Sequence, residues 1–210
     1  MPDLEKLREA VIQGNWKAAA AVTQAAIDEG VAPLTVVNCL IPAMDEVGRL
    51  FECEEYFVPE MLLSARAMKA SMELIRPLLA AAGTEPVGRV VIGTVKGDLH
   101  DIGKNLVASM LEGGGFEVID LGADVAPERF IEAVTTRKAN LVALSALLTV
   151  TMPSMKTTID ALQAAGVREK VKVMVGGAPV NEQYATSIGA DGYSESAGGA
   201  VALARKLVAA

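Results

Sequence analysis

Residues 89–106 read RVVIGTVKGDLHDIGKNL, and the fold turns on how this stretch is read. Arg89 to Val95 is a short β-branched run with no polar alternation, as expected of a strand buried on both faces. Lys96 to Gly103 carries glycines and aspartates, the residues of a turn. From Ile102 onward the apolar positions take helical spacing. A strand, a polar loop and a helix are expected in succession.

The same rhythm continues outward. FEVIDLG (116–122), NLVALSAL (140–147) and VKVMVGG (171–177) are further short apolar runs. Helical patterns fill 102–113, 127–138, 153–165 and, after a short turn ADGYS, 197–208. Strand–helix alternation with doubly buried strands means a parallel sheet covered by helices. Five strands with right-handed crossovers are expected, a flavodoxin-like (Rossmann-like) doubly wound domain over residues 86–210.

Upstream, residues 1–85 are expected to form a helical domain, a four-helix bundle. Leu4, Leu7 and Val11 share a face of a first helix that Gly14 stops. Asn15 caps a second, lined by Trp16, Ala20, Thr23 and Ile27 and ended by Gly30. A third begins at Pro33 and should break or kink at Pro42. A fourth opens after Pro59 and runs to about Ala82, with Met61, Ala65, Met68, Met72, Ile75 and Leu79 as its seam. GTEPVG (83–88) has the punctuation of a linker.

Composition narrows the function. A net charge of −7 over 210 residues argues against nucleic-acid binding, which needs a basic face. The longest charge-free stretch, Ala139 to Met155, is too short and too polar to span a bilayer. The opening MPDLEKLREA is charged and amphipathic, unlike a signal peptide. Cys39 and Cys53, the two cysteines, lie in apolar helical patterns and read as reduced core thiols of a cytoplasmic protein.

In an open α/β sheet, ligands bind beyond the carboxyl ends of the strands, where the strand order reverses. The loop after the first strand holds His100, the single histidine of the chain. Its glycine spacing fits neither a dinucleotide fingerprint nor a phosphate loop. Asp98 stands two residues earlier, placed to accept one ring N–H and raise the basicity of the other nitrogen, as metal-binding histidines require. The third strand ends among Ser145, Thr149 and Thr151, and the fourth at Gly176-Gly177. Singly, each has an ordinary structural reading: a satisfied histidine, helix-capping hydroxyls, a glycine turn. Together they form a pattern.

Asp98-x-His100-x-x-Gly103, Ser145-x-Leu147 and Gly176-Gly177, separated by residues 104–144 and 148–175, match the DxHxxG…SxL…GG signature of cobalamin-binding domains. With FVPEMLLSARAMK (57–69) in the helical half, nearly the whole chain resembles a cognate corrinoid protein of a methyltransferase system. It is similar to the methylcobalamin-binding fragment of methionine synthase. The resemblance implies a cobalamin or related corrinoid, with His100 as lower axial ligand to cobalt in place of the nucleotide base. Asp98 would hydrogen-bond His100, and Thr151 would continue that relay where the methionine synthase pattern carries serine. The nucleotide tail would pass Ser145, Leu147, Gly103, Gly176 and Gly177. The loop neighbours Gly97, Leu99, Asp101, Ile102 and Thr149 count with the cofactor-binding residues. Phe51, Val58, Met61 and Leu62 match the cap over the upper face of the corrin.

The implied activity is methyl carriage. A substrate:corrinoid methyltransferase loads Co(I), and a second methyltransferase removes the methyl group from methyl-Co(III) to tetrahydrofolate or a thiol. A reductive activase is a further candidate partner. No side chain is expected to act catalytically, so the chain would be a non-catalytic component. Two alternatives share the motif. A subunit of an adenosylcobalamin-dependent isomerase needs a substrate-binding barrel of about 250 residues, which is not found in this sequence. A cobalamin-binding sensor or regulator would bring a basic DNA-binding element, which the acidic composition does not offer. A flavodoxin-like domain binding FMN or nothing is the remaining reading.

Overall fold

The computed structural model describes residues 3–209; Met1, Pro2 and Ala210, and with them the outer limits of the two expected domains, lie outside the described residues. The described chain divides into two compact units. One runs up to Pro86 and includes Glu112–Gly115; the other comprises Val87–Leu111 and the residues from Phe116 onward.

The first unit contains four helices, α1 (Leu4–Ile12), α2 (Trp16–Asp28), α3 (Pro33–Glu52) and α4 (Val58–Ala81). Local chemistry sets the ends. The carboxylate of Asp3 and the side-chain carbonyl of Asn15 accept the backbone N–H groups of Lys6 and Ala18, capping α1 and α2. Gly14 and Gly30 follow their helices with positive φ. At α4 the Glu60 carboxylate reaches back to the Phe57 N–H at 3.0 Å.

Helix α3 does not break at Pro42 but continues through it. A proline inside a helix costs about 3 kcal/mol. Pro42 and Asn38, whose carbonyl loses its partner, both lie on the exposed face and can meet water. The opposite face buries Val36, Val37, Leu40, Ala43, Met44 and Val47. At about 1.5–3 kcal/mol for each large side chain, that burial outweighs the proline. The buried stripe of α2 is also rotated from the expected one. It centres on Ala19, Thr23 and Ala26, leaving Trp16, Ala20 and Ile27 half-buried. Small residues let α2 pack closely on α4, where Ser64, Ala67 and Ser71 join the methionines in the core. The polar ones are paired, Thr23 with Ser71 at 3.0 Å and Ser64 with the Ile12 carbonyl at 2.9 Å. Cys53 is exposed at the end of α3, so it is no core thiol. Cys39 is half-buried, and both thiols are free.

From Arg89 onward the chain alternates β1 (Arg89–Thr94), α5 (Ile102–Gly113, whose last two residues count with the first unit), β2 (Glu117–Asp120), α6 (Pro127–Arg137), β3 (Leu141–Ser145), α7 (Pro153–Ala164), β4 (Lys172–Gly176), α8 (Glu182–Ser187), β5 (Gly192–Tyr193) and α9 (Ala197–Val208). The strands form a parallel sheet in the order β2-β1-β3-β4-β5, the flavodoxin-like, Rossmann-like arrangement. Val91, Val142 and Val173 pair side by side and are fully buried. Helix α8 is additional to the sequence reading, and β5 falls within ADGYS, where a turn was expected. The order reverses between β1 and β3. In register, Thr94 lies beside Ser145, and Ser145 beside Gly176.

Candidate corrinoid site

The loops leaving β1 and β3 are joined by one side chain. Asp98 is completely buried, and five donors converge on its carboxylate. Thr151 Oγ1 (2.6 Å) and the backbone N–H groups of Leu147 (2.8 Å) and Leu148 (3.2 Å) meet Oδ2. The backbone N–H of His100 (3.0 Å) and its ring Nδ1 (2.8 Å) meet Oδ1. Burial alone would raise the Asp98 carboxyl, but the hydrogen bonds from Thr151, Leu147 and His100 outweigh it. They hold the group well below the usual carboxylate range.

An ionised carboxylate can only accept, so it assigns the His100 tautomer: Nδ1 carries the proton and Nε2 keeps a lone pair. The His100 side chain is half exposed, and Nε2 has no hydrogen-bond partner among the described residues. A basic nitrogen on a ring oriented by a buried anion is the arrangement of a metal-ligating histidine. No group of three or more His, Cys, Asp or Glu side chains among the described residues could hold a bare ion. A metal at His100 must bring its other ligands with it.

The surroundings suit such a group. Leu99, Ile102 and Val150 are 76%, 79% and 80% exposed, and Leu147 and Leu148 are also exposed, all on the two loops that Asp98 ties together or at the start of α5. That much apolar surface around a polar centre marks a binding face. Gly103 adds a second sign. It is exposed in the first turn of α5, and a Cβ there would meet nothing. The protein's own packing gives no reason for a glycine there. Gly177 differs. Its φ is +131° and its Cβ would collide with the Ala146 carbonyl oxygen, so the backbone just past β3 demands that glycine. At Gly176 the nearest atom to an added Cβ is the Ser194 carbonyl oxygen, 3.3 Å away. Gly97 has φ +87° and turns the loop. Asp101 is partly buried just before α5, and Thr149 lies exposed in the β3–α7 loop.

The helical unit holds the remaining named residues. Met61 is fully buried in its core and Phe51 is half-buried, whereas Val58 and Leu62 are exposed. Phe57 and Leu63 beside them are exposed too, at 63% and 48%.

Other contributors carry no sequence flag. The Thr94 hydroxyl, fully buried at the end of β1, donates to the His100 carbonyl at 2.9 Å. Lys104 is buried within α5, where its ammonium meets the Asp120 carboxylate and Asn105 Oδ1, each at 2.6 Å. This pair fastens the first turn of α5 to the end of β2. Its only signal in the sequence is a charge at a helix position where an apolar residue would pack.

Family patterns described as "B12 binding domain" match residues 88–202 and 3–76. The chain belongs to the B12-binding family. Trimethylamine corrinoid protein 2 of Methanosarcina mazei is 44% identical, over 95% of this chain and 93% of its own length. Dimethylamine corrinoid protein 1 of Methanosarcina acetivorans is 41% identical, over 98% and 97%. Among solved structures, a cobalamin-binding protein from Desulfitobacterium hafniense DCB-2 superimposes with a TM-score of 0.81, at 33% identity and 99% coverage of both chains. A chain of the methanol:cobalamin methyltransferase complex MtaBC from Methanosarcina barkeri gives 0.86 at 32% identity, covering 98% of this chain and 79% of that one. The protein is a corrinoid protein of the kind found in methyltransferase systems, and the face around His100 has the donor chemistry and the apolar border that a corrinoid needs. No helix among the described residues is long and apolar enough to cross a membrane.

Proposed function

We propose that this corrinoid protein carries methyl groups between two methyltransferases, one that takes the methyl from a substrate and one that passes it to tetrahydrofolate or a thiol. One observation carries the reading. The buried Asp98 carboxylate fixes the His100 tautomer that leaves Nε2 able to bind cobalt. When bound, the corrinoid supplies the centre that takes and gives the methyl group. The protein's share is to hold and shield it. His100 would hold the cobalt through Nε2, its ring oriented by Asp98, whose carboxylate accepts from Thr151 and the Leu147 and Leu148 N–H groups. The exposed Leu99, Ile102, Leu147, Leu148 and Val150 would border the corrin and exclude water. Ser145, Gly103, Gly176 and Gly177 would line the path of the nucleotide tail.

In this reading Phe51, Val58, Met61 and Leu62 would belong to a cap that shields the corrinoid. Val58 and Leu62 are exposed on the helical unit, and Met61 is buried in its core. No side chain acts as nucleophile or general acid, so continuous turnover needs the partner enzymes. A reductive activase that restores the reduced cobalt is a further partner of this reading. The relatives named for trimethylamine and dimethylamine are 44% and 41% identical, against 32% for the chain from the methanol complex. Methylated amines are therefore the donor class to test first.

The test is to reconstitute the protein with hydroxocobalamin, reduce it, and offer methylamines or methanol with and without the matching methyltransferase. Stoichiometric methylation only when the enzyme is present is expected. Continuous demethylation of a substrate by the isolated chain would overturn the carrier reading.

A further inference from the structure

The loop that presents His100 is braced by a residue from a different strand end. Asp124 lies between β2 and α6 with φ +53°, a left-handed conformation that aspartate and asparagine tolerate better than most residues. Its side chain and main chain grip the loop on both sides of the Asp98 Cα. Oδ1 accepts the Gly97 N–H at 2.8 Å, and the Asp124 N–H donates to the Asp98 carbonyl at 2.9 Å. Lys96 Nζ adds an ion pair at 3.1 Å. The Gly97 N–H first, and Lys96 second, hold the Asp124 carboxyl below its ordinary range.

We infer that Asp124 is a positioning residue for cobalt ligation, holding the backbone of Asp98 so that its carboxylate aims the His100 ring. The inference rests on the reading of His100 as the lower ligand. The magnitudes identify the bond that matters. The Lys96–Asp124 pair is exposed on both sides, 59% and 40%, and such pairs contribute little. The two backbone bonds instead remove the freedom of the one residue whose placement decides where the imidazole points. A group that orients a metal ligand typically changes metal affinity about 10–100-fold when lost.

Three variants separate the contributions. Asp124→Gly keeps the left-handed backbone at no steric cost and deletes the acceptor for Gly97. Asp124→Asn keeps acceptor and conformation but loses the charge. Lys96→Met removes the ion pair alone. Two readouts are taken: amide exchange at Gly97 in the corrinoid-free protein, and the histidine-coordinated fraction with corrinoid affinity after reconstitution with hydroxocobalamin. Asp124→Gly is expected to speed exchange at Gly97, lower the coordinated fraction and weaken affinity about tenfold, while its melting curve shows a folded protein. Asp124→Asn and Lys96→Met should match the wild type. Wild-type coordination and affinity in Asp124→Gly would overturn the inference, as would an Asp124→Asn variant as impaired as the glycine one. His100→Gly is measured alongside. If it alters the spectrum and Asp124→Gly does not, only the role of Asp124 falls; if it leaves the spectrum unchanged, the ligand reading falls, and this one with it.

Discussion

Replacing Asp98 by asparagine changes one atom and puts the site in conflict with itself. A carboxamide keeps one accepting oxygen, while donors press on both sides of the group. The oxygen is best turned toward Thr151, Leu147 and Leu148, which leaves the NH2 facing the N–H and Nδ1 of His100. The backbone N–H then has no acceptor, a penalty of about 1–3 kcal/mol. The three donors on the other side lose a charged acceptor, together worth about another 1 kcal/mol. The corrinoid-free Asp98→Asn protein is therefore expected to lose about 2–4 kcal/mol at neutral pH. Nδ1 can accept from the NH2 only by moving its proton to Nε2, so the ring turns a proton, not a lone pair, toward the metal.

The pH dependence has a definite sign. Asp98 is depressed in the folded state, so its stabilisation is complete above the unfolded value of about 4. It fades as the pH falls toward the folded value. The variant lacks this slope, and the two stabilities should converge in acid. Urea unfolding should be followed by far-UV circular dichroism and by amide exchange at β1 and β3. The single tryptophan, Trp16, sits in the helical unit and reports on the wrong place. A variant within about 0.5 kcal/mol of wild type that still coordinates cobalt through histidine would refute the reasoning.

Thr151→Val removes one of the Asp98 donors and should cost about 1–2 kcal/mol by urea unfolding, while Thr151→Ser should recover most of it. The glycines should respond in opposite ways. Gly177→Ala, facing the Ala146 carbonyl at φ +131°, should destabilise the fold by about 3 kcal/mol or more. Gly103→Ala should keep or raise apo stability, by up to about 1 kcal/mol, yet weaken hydroxocobalamin binding in a titration by about 1–3 kcal/mol. Val58→Ala combined with Leu62→Ala changes exposed side chains, so the corrinoid-free melt should stay within about 0.5 kcal/mol of wild type. Photolysis of the methylated protein should quicken, and an unchanged rate would argue against the cap.

Much of this was legible because the chemistry was local. The strand of Arg89–Thr94, the turn at Gly97 and the pairing of Asp98 with His100 all lie within one short stretch. Thr151 could be placed by its motif, and the structure puts its hydroxyl 2.6 Å from Asp98. What escaped depends on tertiary partners. Pro42 reads as a break until the exposed position of the Asn38 carbonyl, which it leaves without a partner, is known. Two-residue β5 has too little length to show a period, and it exists because β4 offers it an edge. Lys104 reads as a surface charge until Asp120, from another strand end, supplies its counter-ion. Asp124 reads as a loop residue for the same reason.

The most direct test uses the fact that the chain has one histidine. The protein is grown with heavy-nitrogen histidine, loaded with cobalamin in its paramagnetic Co(II) state, and examined by electron paramagnetic resonance. Coordination through His100 predicts that the triplet splitting of each cobalt line, from ordinary nitrogen, becomes a doublet in the labelled protein and vanishes in His100→Gly. A triplet that persists with labelled histidine would mean that the nucleotide base, not His100, holds the cobalt, and the central claim would fail.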